Sequence, residues 1–177
     1  MKVSAFIAAS LDGYIAKENG DIEWLTKLSS LDDDFGYSDF IADIDVIVMG
    51  RKSFEKVISF DAWPYGDIRV FVLSKTLDIY SLGEKLPNKV EIFSDINTLL
   101  AFLKQNKYKD VYVDGGQTIM SFLKLGLLNE ITLTHIPILL LGGIRLFGYD
   151  GNSILLELLS SKVYSNGFVQ SKYKVLA

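Results

Sequence analysis

"DVYVDGGQTIMSFL", Asp110 to Leu123, is the stretch from which the rest of the chain can be read. A short run of β-branched and aromatic residues ends in Gly115-Gly116. A segment with Ile119, Met120, Phe122 and Leu123 at helical spacing then continues to Gly126. This is the pattern of a buried strand turning directly into a helix. The free N–H groups and positive dipole end of a helix's first turn make such a junction a seat for phosphate. Glycine there removes the Cβ that would hold a phosphate off the backbone. A tight turn or a close strand–helix contact asks for the same residue type. The spacing is not G-x-G-x-x-G, so a Rossmann dinucleotide fold is not indicated.

Similar apolar runs recur outward from this point: "KVSAFIAAS", "DVIVMG", "DIRVFVLS", "KVEIF" and "EITLTHIPIL". Each is short, apolar on both faces and bounded by charged residues or glycine, as strands of a covered sheet are. Between them, "DINTLLAFLKQ" opens with Asp95 as an N-cap and sets Ile96, Leu99, Leu100 and Leu103 on one helical face. A further helix is expected over roughly residues 35–42. The tail "LLELLSSKVYSNGFVQSKYKVLA" places Asn166-Gly167 between two strand-like runs, a hairpin signal. Alternating β and α segments closed by a hairpin predict an α/β domain over residues 1–177, a mixed sheet with helices on both faces.

Composition narrows the function. The 177 residues are 49% hydrophobic and 23% charged, ordinary globular usage, and the mean hydropathy is +0.25. No run approaches the roughly 20 apolar residues of a membrane span. The most apolar segment, Ile136 to Ile144, is broken by Pro137 and Gly142-Gly143 and is read as core or subunit interface. The start, "MKVSAFIAASLDGYIA", alternates like a strand and carries Asp12 and Gly13, so it is a poor secretory signal. With no cysteine and one histidine there is no disulfide framework, thiol nucleophile or histidine metal cluster, and cytoplasm is the expected compartment. A net charge of -4 and a pI near 5.0 argue against nucleic acid as the main partner.

Four further stretches offer chemistry. In "VIVMGRKSFEKV" a strand ends at Gly50 and is followed by Arg51, Lys52 and Ser53. Cations are disfavoured at a helix start, whereas a guanidinium and a hydroxyl there suit a phosphate monoester. "SLDGYIAKENGDIEWL" is a long glycine-punctuated loop after the first strand. Tyr14 and Trp24 could wall a planar ring there and Asp12 could orient a substrate, although Trp24 reads equally as a core aromatic. "DIRVFVLSKT" ends in Ser74, Lys75 and Thr76, which could meet the adenosine end of a nucleotide or form a solvated turn. Asp32-Asp33-Asp34 is read as a helix N-terminus before a metal site. His135, in a strand pattern, is read as structural.

Together these residues resemble the dihydrofolate reductase superfamily. "VIVMGRKSFE" is similar to the strand and turn that hold the 2'-phosphate side of NADPH, and "VYVDGGQTIMSFL" to the diphosphate turn. "GDIEWL" is similar to the loop before the first helix, and "EITLTHI" to the strand after the glycine turn. "SLDGYIA" and "PILLLGGIRLF" resemble more closely the branch containing the reductase domain of bacterial riboflavin biosynthesis. The resemblance implies a three-layer fold with a mixed, mostly parallel sheet of about eight strands. It also implies NADPH as cofactor, hydride transfer to a small planar heterocyclic or carbonyl substrate, and a homodimer. Gly50, Arg51, Lys52 and Ser53 would hold phosphate, Ser74 and Lys75 would lie near adenosine, and Gly115, Gly116, Gln117 and Thr118 would bind the diphosphate. Ala9 and Ile15 would face the nicotinamide, Asp12 and Trp24 the reacting substrate, and Pro137 with Gly142-Gly143 would border that pocket. The helix carboxylate of folate reductases has no match: Ser29 stands near its place and Asp32 several residues on. The alternative is therefore a nucleotide-binding homodimer of this fold without turnover.

Overall fold

Residue alternation along the central strands builds a sheet covered on both sides. The computed structural model describes residues 1–28, 33–78, 89–148 and 153–176. In β3 (Val46–Gly50), Val46 and Val48 face one core cluster, and Ile47 and Met49 the other. In β6 (Asp110–Asp114), Val111 and Val113 take the first side and Tyr112 the second. A strand that buries both faces must be apolar throughout, which is why these runs carry no polar alternation.

The eight-stranded sheet runs β5 (Val90–Phe93), β4 (Arg69–Leu73), β3, β6, β1 (Lys2–Ser10), β7 (Glu130–Ile136), β10 (Val169–Val175), β9 (Leu156–Val163). Pairing is parallel from β5 to β7 and antiparallel at β10 and β9, as the mixed, mostly parallel reading expects. Helices α4 (Ile96–Gln105) and α5 (Gly116–Lys124) cover one face through Leu99, Leu103, Ile119 and Phe122. Helices α2 (Tyr37–Ala42) and α3 (Arg51–Val57) cover the other through Phe40, Ile41, Phe54 and Val57. Fully burying such a side chain contributes roughly 1.5–3 kcal/mol. The Asp95 carboxylate accepts the Thr98 N–H at 2.9 Å, so the expected N-cap starts α4. The Asp34 carboxylate accepts the N–H groups of Gly36 and Ser38 before α2, the local role read for the acidic run; Ser29 and Asp32 lie outside the described residues.

Two features were not legible in the sequence. A two-stranded ribbon joins β2 (Tyr14–Ala16) to β8 (Ile144–Arg145) apart from the main sheet. A Cβ on Gly143 would strike the Ala16 carbonyl, so this glycine lets β8 lie on β2. All eight residues of edge strand β9 are exposed, although half of them are apolar.

Candidate cofactor and substrate site

Parallel pairing puts the C-terminal ends of β4, β3, β6 and β1 on one edge, in that order. At about 4.8 Å between strands, that edge runs roughly 14 Å from β4 to β1. At its β4 end the Arg51 guanidinium donates to Thr76 Oγ1 at 2.9 Å and to Glu55 Oε1 at 2.6 Å. The Ser74 hydroxyl accepts the N–H groups of Thr76 and Leu77, fixing the turn that follows β4. Lys52 and Lys75 are exposed nearby in sequence, and neither makes an ion pair with another described residue. Residues 51 and 74–76, far apart in sequence, thus form one cationic, hydroxyl-bearing corner.

Next along the edge the two glycine turns interlock. Gly115 has φ +86°, and a Cβ there would run into the Ser53 hydroxyl. A Cβ on Gly116 would sit 2.9 Å from Ile15 Cδ1 and 3.2 Å from the Arg145 carbonyl oxygen. Gly50 keeps an ordinary φ of -83°, and its absent Cβ would lie 3.1 Å from Thr118 Oγ1. Adjacent glycines at positions 115 and 116 are therefore required by neighbouring chain: one for a left-handed backbone, both for close approach. No side chain caps the N-terminus of α5, where Gln117 is exposed. Gly50, Ser53, Gly115, Gly116, Thr118 and Ile15 are brought together. Ala9 is fully buried with its methyl in the core, so only its backbone can face a ligand.

The substrate-side assignments need correction. Asp12 was expected to meet the substrate, but its Oδ1 accepts from the Ser10 hydroxyl at 2.6 Å and the Leu140 N–H at 3.1 Å. Its Oδ2 accepts the Leu141 N–H at 2.8 Å. The Ser10 hydroxyl, with those N–H groups, holds the carboxyl below its ordinary pKa, so Asp12 is a clamp between the end of β1 and the loop after Pro137. Trp24, on α1 (Glu23–Leu28), is 5% exposed and packs with Ile136, Tyr164 and Phe168. It is a core aromatic, the alternative its sequence allowed, and its indole N–H is buried without an acceptor.

Asp114, the last residue of β6, was quoted in the sequence and given no role. Burial pushes its carboxyl above the ordinary pKa, against the lowering effects of the Gly115 N–H and the Tyr112 hydroxyl. The Tyr112 hydroxyl lies 3.0 Å from the Phe6 carbonyl oxygen and 3.2 Å from Asp114 Oδ1. A phenol has one hydrogen to give. It is shared between the Phe6 carbonyl oxygen and Asp114 Oδ1, the shorter contact being the one to Phe6. Burial also raises the neighbouring phenols, Tyr37 to about 12 and Tyr65 and Tyr112 further. The signal available in the sequence was an acidic residue closing an otherwise apolar strand. A groove of about 540 Å³ lies at the opposite end of the strands, lined by Lys2, Phe6, Glu130, Lys172, Asp39 and Asp43 among others, away from the Gly50 and Gly115 turns.

The comparison with known families now has a geometry to meet. The RibD C-terminal domain model matches residues 1–170. The chain belongs to that family. The uncharacterised protein YwjB of Bacillus subtilis (strain 168) is 33% identical over 174 residues, 97% of each protein. A crystal structure from Shewanella sp. PV-4, provisionally assigned to riboflavin biosynthesis, superposes with a TM-score of 0.90 at 36% identity over 100% of both chains. The Thermotoga maritima diaminohydroxyphosphoribosylaminopyrimidine deaminase/5-amino-6-(5-phosphoribosylamino)uracil reductase gives 0.73 at 13% identity, over 99% of this chain and 56% of that one. At that identity the likeness concerns the fold alone. The RibD C-terminal fold is thus the dihydrofolate reductase-like one seen here, and membership supports a reductase-like enzyme of the pyrimidine reductase type. No described helix is long and apolar enough to cross a membrane.

Proposed function

We propose that the protein is an NADPH-dependent reductase acting on a small planar heterocycle or carbonyl compound of the pyrimidine type. One observation carries this reading: the candidate groups lie across the sheet in the order an extended dinucleotide needs. On this reading Arg51, Ser74 and Thr76 would meet the phosphate-bearing adenosine end, the Ser53/Gly115 turn the diphosphate, and Ile15 and the end of β1 the nicotinamide. Bound NADPH supplies the hydride. The chain's part is to hold the ligand straight along this edge, with Arg51 forking the 2'-phosphate and the first-turn N–H groups of α5 meeting the diphosphate. Asp114, at the end of β6 beside the glycine turn, has its carboxyl raised above the ordinary pKa by desolvation.

The test is a titration with NADPH and NADH, followed by quenching of Trp24 and Trp63. NADPH is expected to bind more tightly, and Arg51→Ala to weaken NADPH about 10- to 100-fold, the worth of a charge-assisted hydrogen bond, while barely moving NADH. Failure of both nucleotides to bind overturns the reading. Binding without turnover is the second reading, and the engagement of both Asp12 oxygens favours it. Oxidation of NADPH with any of a panel of heterocycles and carbonyls decides against it.

Self-association belongs to the same proposal. On the β9–β10 hairpin Val163 lies beside Val169, and these two are exposed together with Leu156 and Leu158 of β9, while their neighbours Tyr173 and Val175 pack partly on the core. A homodimer through this hairpin is expected, and a light-scattering mass near that of one chain would exclude it. A cysteine-free chain suits the reducing cytoplasm.

A further inference from the structure

Arg51 is the first residue of α3, where a cation is disfavoured, and its partner Glu55 follows four residues later. That order is the weaker of the two for a helical ion pair. Both side chains are more than 40% exposed, at 45% and 41%, so water screens the pair and it adds little to stability. The helix does not need this arrangement, which leaves the question of what it does to the guanidinium.

A guanidinium has five N–H donors. Glu55 takes Nε–H and Thr76 takes one hydrogen of Nη1, and no other described residue bonds the rest of the Nη1 and Nη2 edge. Two contacts from different elements, one on α3 and one after β4, therefore fix the plane of the fork and select the edge it presents. Glu55 also sets a negative charge against the same group that would meet a phosphate. We propose that Glu55 and Thr76 together set cofactor selectivity. Thr76 aims the Arg51 fork, and Glu55 both aims it and damps its attraction for a 2'-phosphate. The proposal rests on the reading of Arg51 as the 2'-phosphate ligand.

The two effects of Glu55 separate by substitution. Glu55→Gln keeps an acceptor for Nε–H and removes the charge. NADPH should then bind about three- to fivefold more tightly, the effect of one unit charge acting through water at a few ångströms, with NADH unchanged. The salt dependence of NADPH binding should steepen as well. Glu55→Ala removes both charge and acceptor, so its NADPH gain should fall short of that of Glu55→Gln. Thr76→Val should lower the NADPH-to-NADH preference about threefold without lowering the melting temperature by more than a few degrees. An effect of Glu55→Gln that is absent, negative or equal for the two nucleotides overturns the proposal while leaving the reductase reading intact, provided the wild type still prefers NADPH. A wild type that binds both nucleotides equally removes Arg51 from its role, and one that binds neither removes the function with it.

Discussion

The two strand-to-helix turns look alike in sequence, "VMGRKS" and "VDGGQT", yet they are built for different reasons. At Gly50 the backbone is ordinary and the chemistry sits on the next residue, whose guanidinium is aimed by Glu55 and Thr76. At Gly115-Gly116 the residues themselves carry no charge, and what matters is the space they vacate for Ser53, Ile15 and Arg145. One turn is a charged hand and the other a joint. At the second turn it is the first-turn N–H groups of α5, not the room left by the missing Cβ atoms, that would meet a diphosphate.

This contrast can be broken by substitution. Gly115→Ala should cost the most, about 2–4 kcal/mol in denaturant unfolding, because it combines left-handed strain with displacement of Ser53. Adding Ser53→Gly should recover the steric share and leave the strain, which a double-mutant cycle will show. Tyr112→Phe should cost about 1–3 kcal/mol by the same measurement, since it strips the Phe6 carbonyl and Asp114 of a buried partner.

Asp114→Asn gives a smaller, pH-dependent effect. Burial raises the folded-state pKa of Asp114 above its unfolded value of about 3.9. Below that value the acid is protonated in both states and carries no penalty. Between the two values, stability falls as pH rises. Asparagine mimics the neutral acid, so the variant should match the wild type near pH 3 and melt increasingly higher than it toward neutral pH. Parallel melting curves across that range would mean that folding does not raise the Asp114 pKa. Gly50→Ala should be the mildest, about 1 kcal/mol or less, because only the Thr118 hydroxyl must give way. A cost equal to that of Gly115→Ala would erase the distinction between the turns.

The sheet was legible because both faces of its strands are buried. Val46 to Met49 and Val111 to Val113 had to be apolar without interruption, and no other local structure fits runs so short. The cationic corner was legible because Arg51 opposes the helix dipole. The β2–β8 ribbon was not, since its two short strands are held by the absent side chain of Gly143, and no pattern in the sequence reports a contact between residues 16 and 143. Asp12 was misread for a related reason. A carboxylate in a loop looks free until the N–H groups 128 and 129 residues away that occupy it are known. Asp114 went unweighed because the sequence shows an acid at a strand end but not the phenols around it.

The position of β1 in the sheet has a consequence for how the chain comes to fold. Strand β1 precedes every other strand of the sheet in the sequence yet is an interior one, flanked by β6 and β7, and the Val3 N–H waits for Asn129, 126 residues later. Its pairing therefore cannot close until most of the protein has been synthesised. Until then "KVSAFIAAS" is an apolar strand with two open edges. The nascent chain should engage chaperones at its amino terminus, and its folding should be slow compared with that of a helical domain of the same length.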